Sequence, residues 1–190
     1  MTWRSRATQP RDRAFQLGRY AVFTESSGFA YWSLDPYLRF TSRVFGRSPV
    51  PSRVDDLVAG FGFEPFRRKT IGSLSTGNRK KAFLIAGLSL GLPLLILDEP
   101  VDGLDFEGTE FLYDSLNAYR DTGSVLMSYH VAESFTQCCD HLCILDGGDL
   151  SRPYPLDPET DIRALLKERH RCPWSCCEPS PRVAASSWMC

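Results

Sequence analysis

Four consecutive aliphatic residues, Leu94–Leu97, run directly into two carboxylates, Asp98 and Glu99. An unbroken apolar run of that length suits a strand covered on both faces, and such strands belong to parallel sheets shielded by crossover helices. The flanking residues agree. Before the run, Phe83, Leu84, Ala86 and Leu88 continue a helix that opens at LSTGN (Leu74–Asn78) and stops at Gly91 and Pro93. After it, Phe111, Leu112, Leu116 and Tyr119 recur at helical spacing, and Ser124–Tyr129 is predicted as another buried strand ending at His130. A short helix, Val131–Cys138, leads to a strand at Leu142–Leu145 and a turn at Asp146–Gly147–Gly148. Strands alternating with helices predict an α/β fold, a parallel sheet with right-handed crossover helices. Ligands of such sheets gather at the carboxyl ends of the strands, where Asp98, Glu99 and His130 fall.

Upstream, Tyr20–Phe23 is a short apolar strand ending at Thr24–Glu25. Asp35–Pro36 predicts a helix start, the aspartate as N-cap and the proline at the first helical position. Tyr37, Phe40 and Val44 fall on one face, and Gly46 ends that helix. A second helix is predicted from Ser52, with Asp55 in capping-box position and Val54, Leu57, Val58 and Phe61 on its apolar side. Together these segments make a small helical subdomain over about residues 30–90 of a domain spanning 20–150. Residues 1–19 read as an irregular basic leader without the apolar run of a secretory signal. Residues 151–190 have no helical or strand period and read as a largely disordered extension.

With 190 residues, 43% of them hydrophobic, the chain suffices for one globular domain with a sizeable core. Its net charge of −1 argues against nucleic acid or anionic lipid as a partner. The longest apolar stretch, Ala82–Leu97, is broken by Gly87, Ser89, Gly91 and Pro93, so no transmembrane segment is predicted and the chain reads as cytosolic. Of seven cysteines, Cys138, Cys139 and Cys143 read as reduced core thiols, while Cys172, Cys176, Cys177 and Cys190 lie in the tail. His170 with Cys172, Cys176 and Cys177 lacks the second CxxC pair that a zinc site needs.

Several of these residue types carry chemistry. Asp98 offers the carboxylate oxygen that Mg2+ prefers, and Glu99, one residue further out, can orient or deprotonate a water. LSTGN places a serine hydroxyl and a glycine amide at a helix N-terminus, an anion-binding end, with Arg79, Lys80 and Lys81 close by. The alternative is a helix simply capped by Ser75 with its basic residues on a solvated face. His130 could donate a hydrogen bond to a terminal phosphate, or serve a structural role.

Taken in order, LSTGN, LLILDEP, VDGLD, SYH and DHLCILDGGDL resemble the motifs of ABC-type ATPases over about residues 20–150. The resemblance implies a partial P-loop NTPase (ABC ATPase) fold that uses ATP and Mg2+. It implies Asp98 as the Mg2+ ligand, Glu99 as catalytic base and His130 as the switch histidine. The signature residues Ser75, Thr76, Gly77 and Asn78 would meet ATP held by the opposite subunit, Glu25 would occupy the Q-loop, and Asp102 and Asp105 the D-loop. It also implies a dimer with the same or another ATPase subunit, and a transmembrane permease that holds the chain at the inner face of the membrane. A basic residue after the signature looks most like subunits of ABC-2-type exporters. Two departures stand out: Glu25 replaces the family's usual glutamine, and GxxxxGK[ST], the loop that grips the phosphates, matches nowhere in the 190 residues. An N-terminally truncated subunit with little ATPase activity of its own is therefore expected. The alternatives are a non-catalytic partner lending LSTGN to an intact subunit and a soluble ABC-type ATPase of translation.

Overall fold

The computed structural model describes residues 12–23, 28–48, 50–128, 135–146, 148–157 and 159–162, which fall into two compact units divided between residues 129 and 130. The predicted domain over 20–150 is thus split after its third strand.

The first unit carries a three-stranded parallel sheet in the order β1 (Arg19–Val22), β2 (Leu94–Asp98), β3 (Ser124–Ser128). Leu94–Leu97 is the central strand, as the apolar run requires, pairing Leu95 with Tyr20 on one side and with Val125 on the other. Its two faces differ: Leu95 and Leu97 are buried, whereas Leu94 and Ile96 are half-buried. Between β1 and β2 the chain forms α2 (Leu34–Phe45), α3 (Pro51–Gly60) and α4 (Thr76–Leu90); α5 (Phe106–Tyr119) connects β2 to β3.

α4 is the axis of the unit. Every residue from Lys80 to Leu90 is buried, because the helix is enclosed by α2, α3 and the sheet. At Gly87 it lies so close to the sheet that a methyl group there would sit 2.9 Å from both Leu95 Cδ1 and Tyr20 Cδ1. The buried Tyr20 and Tyr37 hydroxyls share a 2.6 Å hydrogen bond that ties β1 to α2. Tyr119 closes the far end of the core by donating to the Leu92 carbonyl at 2.8 Å.

Local details depart from expectation for physical reasons. α2 starts two residues early with Ser33 as N-cap, and α3 starts at Pro51 with Val50 as N-cap. Asp35 and Asp55 are thereby released from capping and instead accept from Arg67 at 3.0 and 2.7 Å, drawing the two helices together. Phe40 and Val44 do not share the buried face of Tyr37; that face is completed by Leu34, Leu38, Thr41 and Ser42. Phe40 packs against Phe29 and Trp32 at ring separations of 5.3 Å on the exposed side. Within the expected irregular leader, α1 (Arg13–Leu17) forms because Asp12 caps it, accepting from the Ala14 amide at 3.0 Å. Among the described residues no helix is long and apolar enough to cross a membrane.

The second unit contains α6 (Phe135–Cys138) and four two-residue strands. The predicted strand Leu142–Leu145 is two strands: β4 (His141–Leu142) pairs antiparallel with β7 (Tyr154–Pro155), and β5 (Leu145–Asp146) with β6 (Asp149–Leu150). The turn between β5 and β6 is the predicted one, with Gly148 at φ +92° supplying a backbone that L-residues rarely adopt. Ordered pairing continues past residue 150, where Ser151 and Ile162 are buried. Cys138 and Cys139 are buried and in no disulfide, and burial pushes the half-buried Cys143 thiol up.

Candidate functional site at the carboxyl end of the central strand

The helix opened by LSTGN begins where predicted. Ser75 is the N-cap of α4, its hydroxyl accepting from the Asn78 amide at 3.3 Å, and Thr76, Gly77 and Asn78 form the first turn. Directly against that turn lies the loop after β2. Gly103, at φ +76°, brings its carbonyl oxygen so near Gly77 that a Cβ on Gly77 would overlap it. Two stretches separated in sequence, LSTGN and VDGLD, are thus in backbone contact, glycine to glycine.

The strand end itself is held tightly. Asp98 accepts from the Ser128 hydroxyl at 2.6 Å across the β2–β3 pair. The Glu99 amide donates to the Ser128 carbonyl at 3.1 Å and to its hydroxyl at 3.2 Å. Glu99 then turns the chain at φ +46°, a left-handed conformation that costs a residue with a Cβ roughly 1–2 kcal/mol. Its carbonyl accepts from the Asp102 amide at 3.2 Å.

Lys80 and Lys81, expected near the helix N-terminus or on a solvated face, are in neither place. Both residues are largely buried, so both ammonium groups take internal acceptors. Lys80 donates to the Glu99 carbonyl at 2.7 Å. Burial pushes the Lys80 ammonium below its ordinary value, opposed by the carboxylates of Asp102, Glu99 and Asp98. Lys81 donates to the Phe61 carbonyl at 3.0 Å and to Asp105 at 2.8 Å, which joins α3, α4 and the start of α5. Asp105 also caps α5 by accepting from the Gly108 amide at 2.8 Å. A basic pair four or five residues inside a helix, ahead of an otherwise apolar stretch, was the one signal that could have located these contacts in advance.

Lys81 and then the Gly108 amide hold the Asp105 carboxyl below the usual carboxylate range. A depressed folded-state pKa contributes stability that is fully present above about pH 4 and is lost as pH falls through the folded value. Asp105 is 64% exposed, so solvent screening limits the contribution to about 1 kcal/mol or less. Asp105→Asn preserves a good N-cap and removes the charge. Its urea midpoint should lie below that of the unmodified chain at pH 7, and the gap should close as both are acidified toward pH ~3.

The structure therefore joins Ser75, Thr76, Gly77, Asn78, Asp98, Glu99, Asp102 and Asp105 at one end of β2, with Ser128, Lys80 and Lys81 as additional members. Glu25 and His130 lie outside the described residues. Among the described residues no three His, Cys, Asp or Glu side chains cluster as a metal cage. Asp98 and the Ser128 hydroxyl are hard oxygen donors, a set that fits Mg2+ bound with water and phosphate oxygens to complete its shell.

A parallel sheet with crossover helices and a carboxylate pair at the end of its central strand places the fold among the P-loop NTPase class, here of the ABC ATPase type. The architecture matches a solved ATP-binding subunit of an ABC transporter with TM-score 0.71 over 82% of this chain and 65% of that one, at 24% identity. AlbC of Bacillus subtilis, named as an ABC transporter ATP-binding protein, is 30% identical over 160 residues, 83% of this chain and 67% of AlbC. The chain belongs to the family of ABC transporter ATP-binding proteins. The Nod factor export ATP-binding protein I of Cupriavidus metallidurans is 31% identical over 114 residues, 58% of this chain and 38% of that protein. The manganese transport system ATP-binding protein MntA of Synechocystis is 36% identical over 86 residues, 45% of this chain and 33% of MntA. The chain thus spans about two thirds of AlbC and about a third of the other two. No family model matches it.

Proposed function

We propose that the chain is the ATP-binding part of an ABC exporter, coupling ATP hydrolysis to transport through a permease and working as a dimer with a like subunit. The observation that carries this is the glycine-to-glycine junction of Gly77 and Gly103 beside Asp98 and Glu99. It presents the signature turn and the D-loop as one surface, fit to close over ATP bound to a second subunit. Export is read from the basic residues after the signature and from the match to a protein named for Nod factor export.

In this scheme Asp98, with Ser128 behind it, holds Mg2+, and Glu99 orients and deprotonates the attacking water. Bound Mg2+ supplies countercharge to the nucleotide phosphates. Ser75, Thr76, Gly77 and Asn78 serve the partner's nucleotide, Asp102 and Asp105 line the dimer contact, and the Q-loop and switch roles of Glu25 and His130 follow from the motif resemblance alone. The 190 residues contain no GxxxxGK[ST] segment, so the chain tested alone should neither bind Mg·ATP at micromolar concentration nor hydrolyse it measurably.

Joining an N-terminal part of AlbC, checked to carry GxxxxGK[ST], ahead of β1 tests the proposal. The fusion should bind Mg·ATP and release phosphate, and Glu99→Gln should lower its rate about 10²–10⁴-fold, the worth of a general base. A folded fusion that binds no nucleotide, or whose rate is indifferent to Glu99→Gln, would reject it.

A further inference from the structure

Glu99 is one of two non-glycine residues with positive φ among the described residues; the other is Phe29. Backbone strain of this kind persists only where the surroundings over-determine it. At Glu99 the amide is fastened to Ser128 and the carbonyl receives two donors, the Asp102 amide at 3.2 Å and the Lys80 ammonium at 2.7 Å. The first is local to the turn. The second reaches from α4, nineteen residues away, out of a side chain only 4% exposed.

An ordinary surface lysine would give up such a contact for water at little cost. Lys80 gives the contact up less readily, because the residue is only 4% exposed and losing the carbonyl costs a nearly buried donor one of its acceptors. The contact is therefore held from the α4 side. It also points the right way to oppose relaxation of the turn: returning Glu99 to negative φ rotates the peptide planes around it and takes its carbonyl off the ammonium.

We propose that Lys80 is a positioning residue for Glu99, its ammonium fixing the left-handed backbone from which the second carboxylate of the strand end is presented. The same bond couples that carboxylate to α4, so a movement of the signature helix is transmitted to the Glu99 backbone through a hydrogen bond as well as through packing. The catalytic consequence rests on the assignment of Glu99 as base; the conformational one does not.

A double-mutant cycle on the full 190-residue chain separates the two. Glycine adopts positive φ without penalty, so a pin at position 99 becomes largely unnecessary once Glu99 is glycine. Lys80→Met should raise the unfolding equilibrium constant in urea about tenfold in the unmodified chain. In a Glu99→Gln background, which removes the charge and keeps the Cβ, the penalty should be the same. In a Glu99→Gly background it should shrink by at least about threefold, the share owed to backbone strain. Where Lys80→Met does not fold, Lys80→Gln, with a donor of shorter reach, takes its place in the same cycle.

An equal penalty in the glutamate and glycine backgrounds overturns the proposal, since Lys80 would then be a packing residue. A penalty that already collapses with Glu99→Gln also overturns it, since the partner would be the carboxylate. In the AlbC fusion, Lys80→Met should lower kcat at least about tenfold with KM for Mg·ATP changed less than about threefold. A fusion without ATPase activity alongside a positive cycle would remove the assignment of Glu99 as base and leave Lys80 as its backbone anchor.

Discussion

Replacing Gly77 by alanine should destabilise the chain by about 3 kcal/mol, at the upper end of what overpacking costs. The added methyl group meets the Gly103 carbonyl oxygen, a backbone atom that cannot swing aside as a side chain could. Gly103 itself sits at φ +76°, so moving its peptide away disturbs a turn that few residues can form. Either α4 withdraws from the loop or the turn opens, and both separate the signature from the D-loop. Gly28→Ala is the matched control, because a Cβ there meets nothing within 4 Å, and it should change stability by less than about 0.5 kcal/mol. Urea unfolding of both variants, with amide exchange at Leu104, reads the result. Leu104 donates to Val101 in the loop, so its protection should fall in Gly77→Ala alone. Equal stability for the two variants would mean that the glycine contact does not organise the site.

Leu84→Ala should cost about 2–5 kcal/mol, the range for a fully buried leucine whose cavity cannot collapse. Leu84 is 0% exposed at the middle of the most enclosed helix in the structure. A domain of this size holds about 5–15 kcal/mol in all, so one such change removes a large share of it. The same helix carries Ser75 and Gly77 at its start and Lys80 and Lys81 in its second turn. Loosening it should therefore degrade the site before the chain unfolds globally. The measurement is the urea midpoint of Leu84→Ala against that of Phe40→Ala, an aromatic substitution at a site 39% exposed. The exposed site should cost clearly less despite the larger side chain removed, and the reverse order would mean that α4 is not the axis of the core.

Much of this was legible along the chain. Leu94–Leu97 could only be a covered strand, and LSTGN could only open a helix, since serine before a long apolar run satisfies orphan amides that little else would. What was misjudged shares one cause. Asp35 and Asp55 fit capping positions in sequence, yet Arg67, twelve or more residues on, offered each carboxylate an ion pair. Phe40 and Val44 satisfied the helical period of a buried face, but the neighbours that decide which face is covered, α4 and β1, lie far along the chain. Leu142–Leu145 had the composition of one strand and became two, because partners at Tyr154–Pro155 and Asp149–Leu150 each take only two residues.

The sequence by itself determined the principal elements of the first unit, their order and the family. Periodicity, caps and apolar runs are local quantities, and the motifs LSTGN and LLILDEPVDGLD are contiguous strings. Only the tertiary structure decided that Gly77 touches Gly103, that Lys81 bridges Phe61 and Asp105, and that Lys80 grips the backbone of Glu99. The lysine contacts exist because α4 is enclosed from Lys80 onward, which leaves both side chains little water to turn to, and the glycine contact exists because the loop after β2 crosses the first turn of α4. Enclosure of that kind is a property of how helices surround one another, and no single stretch of the chain encodes it.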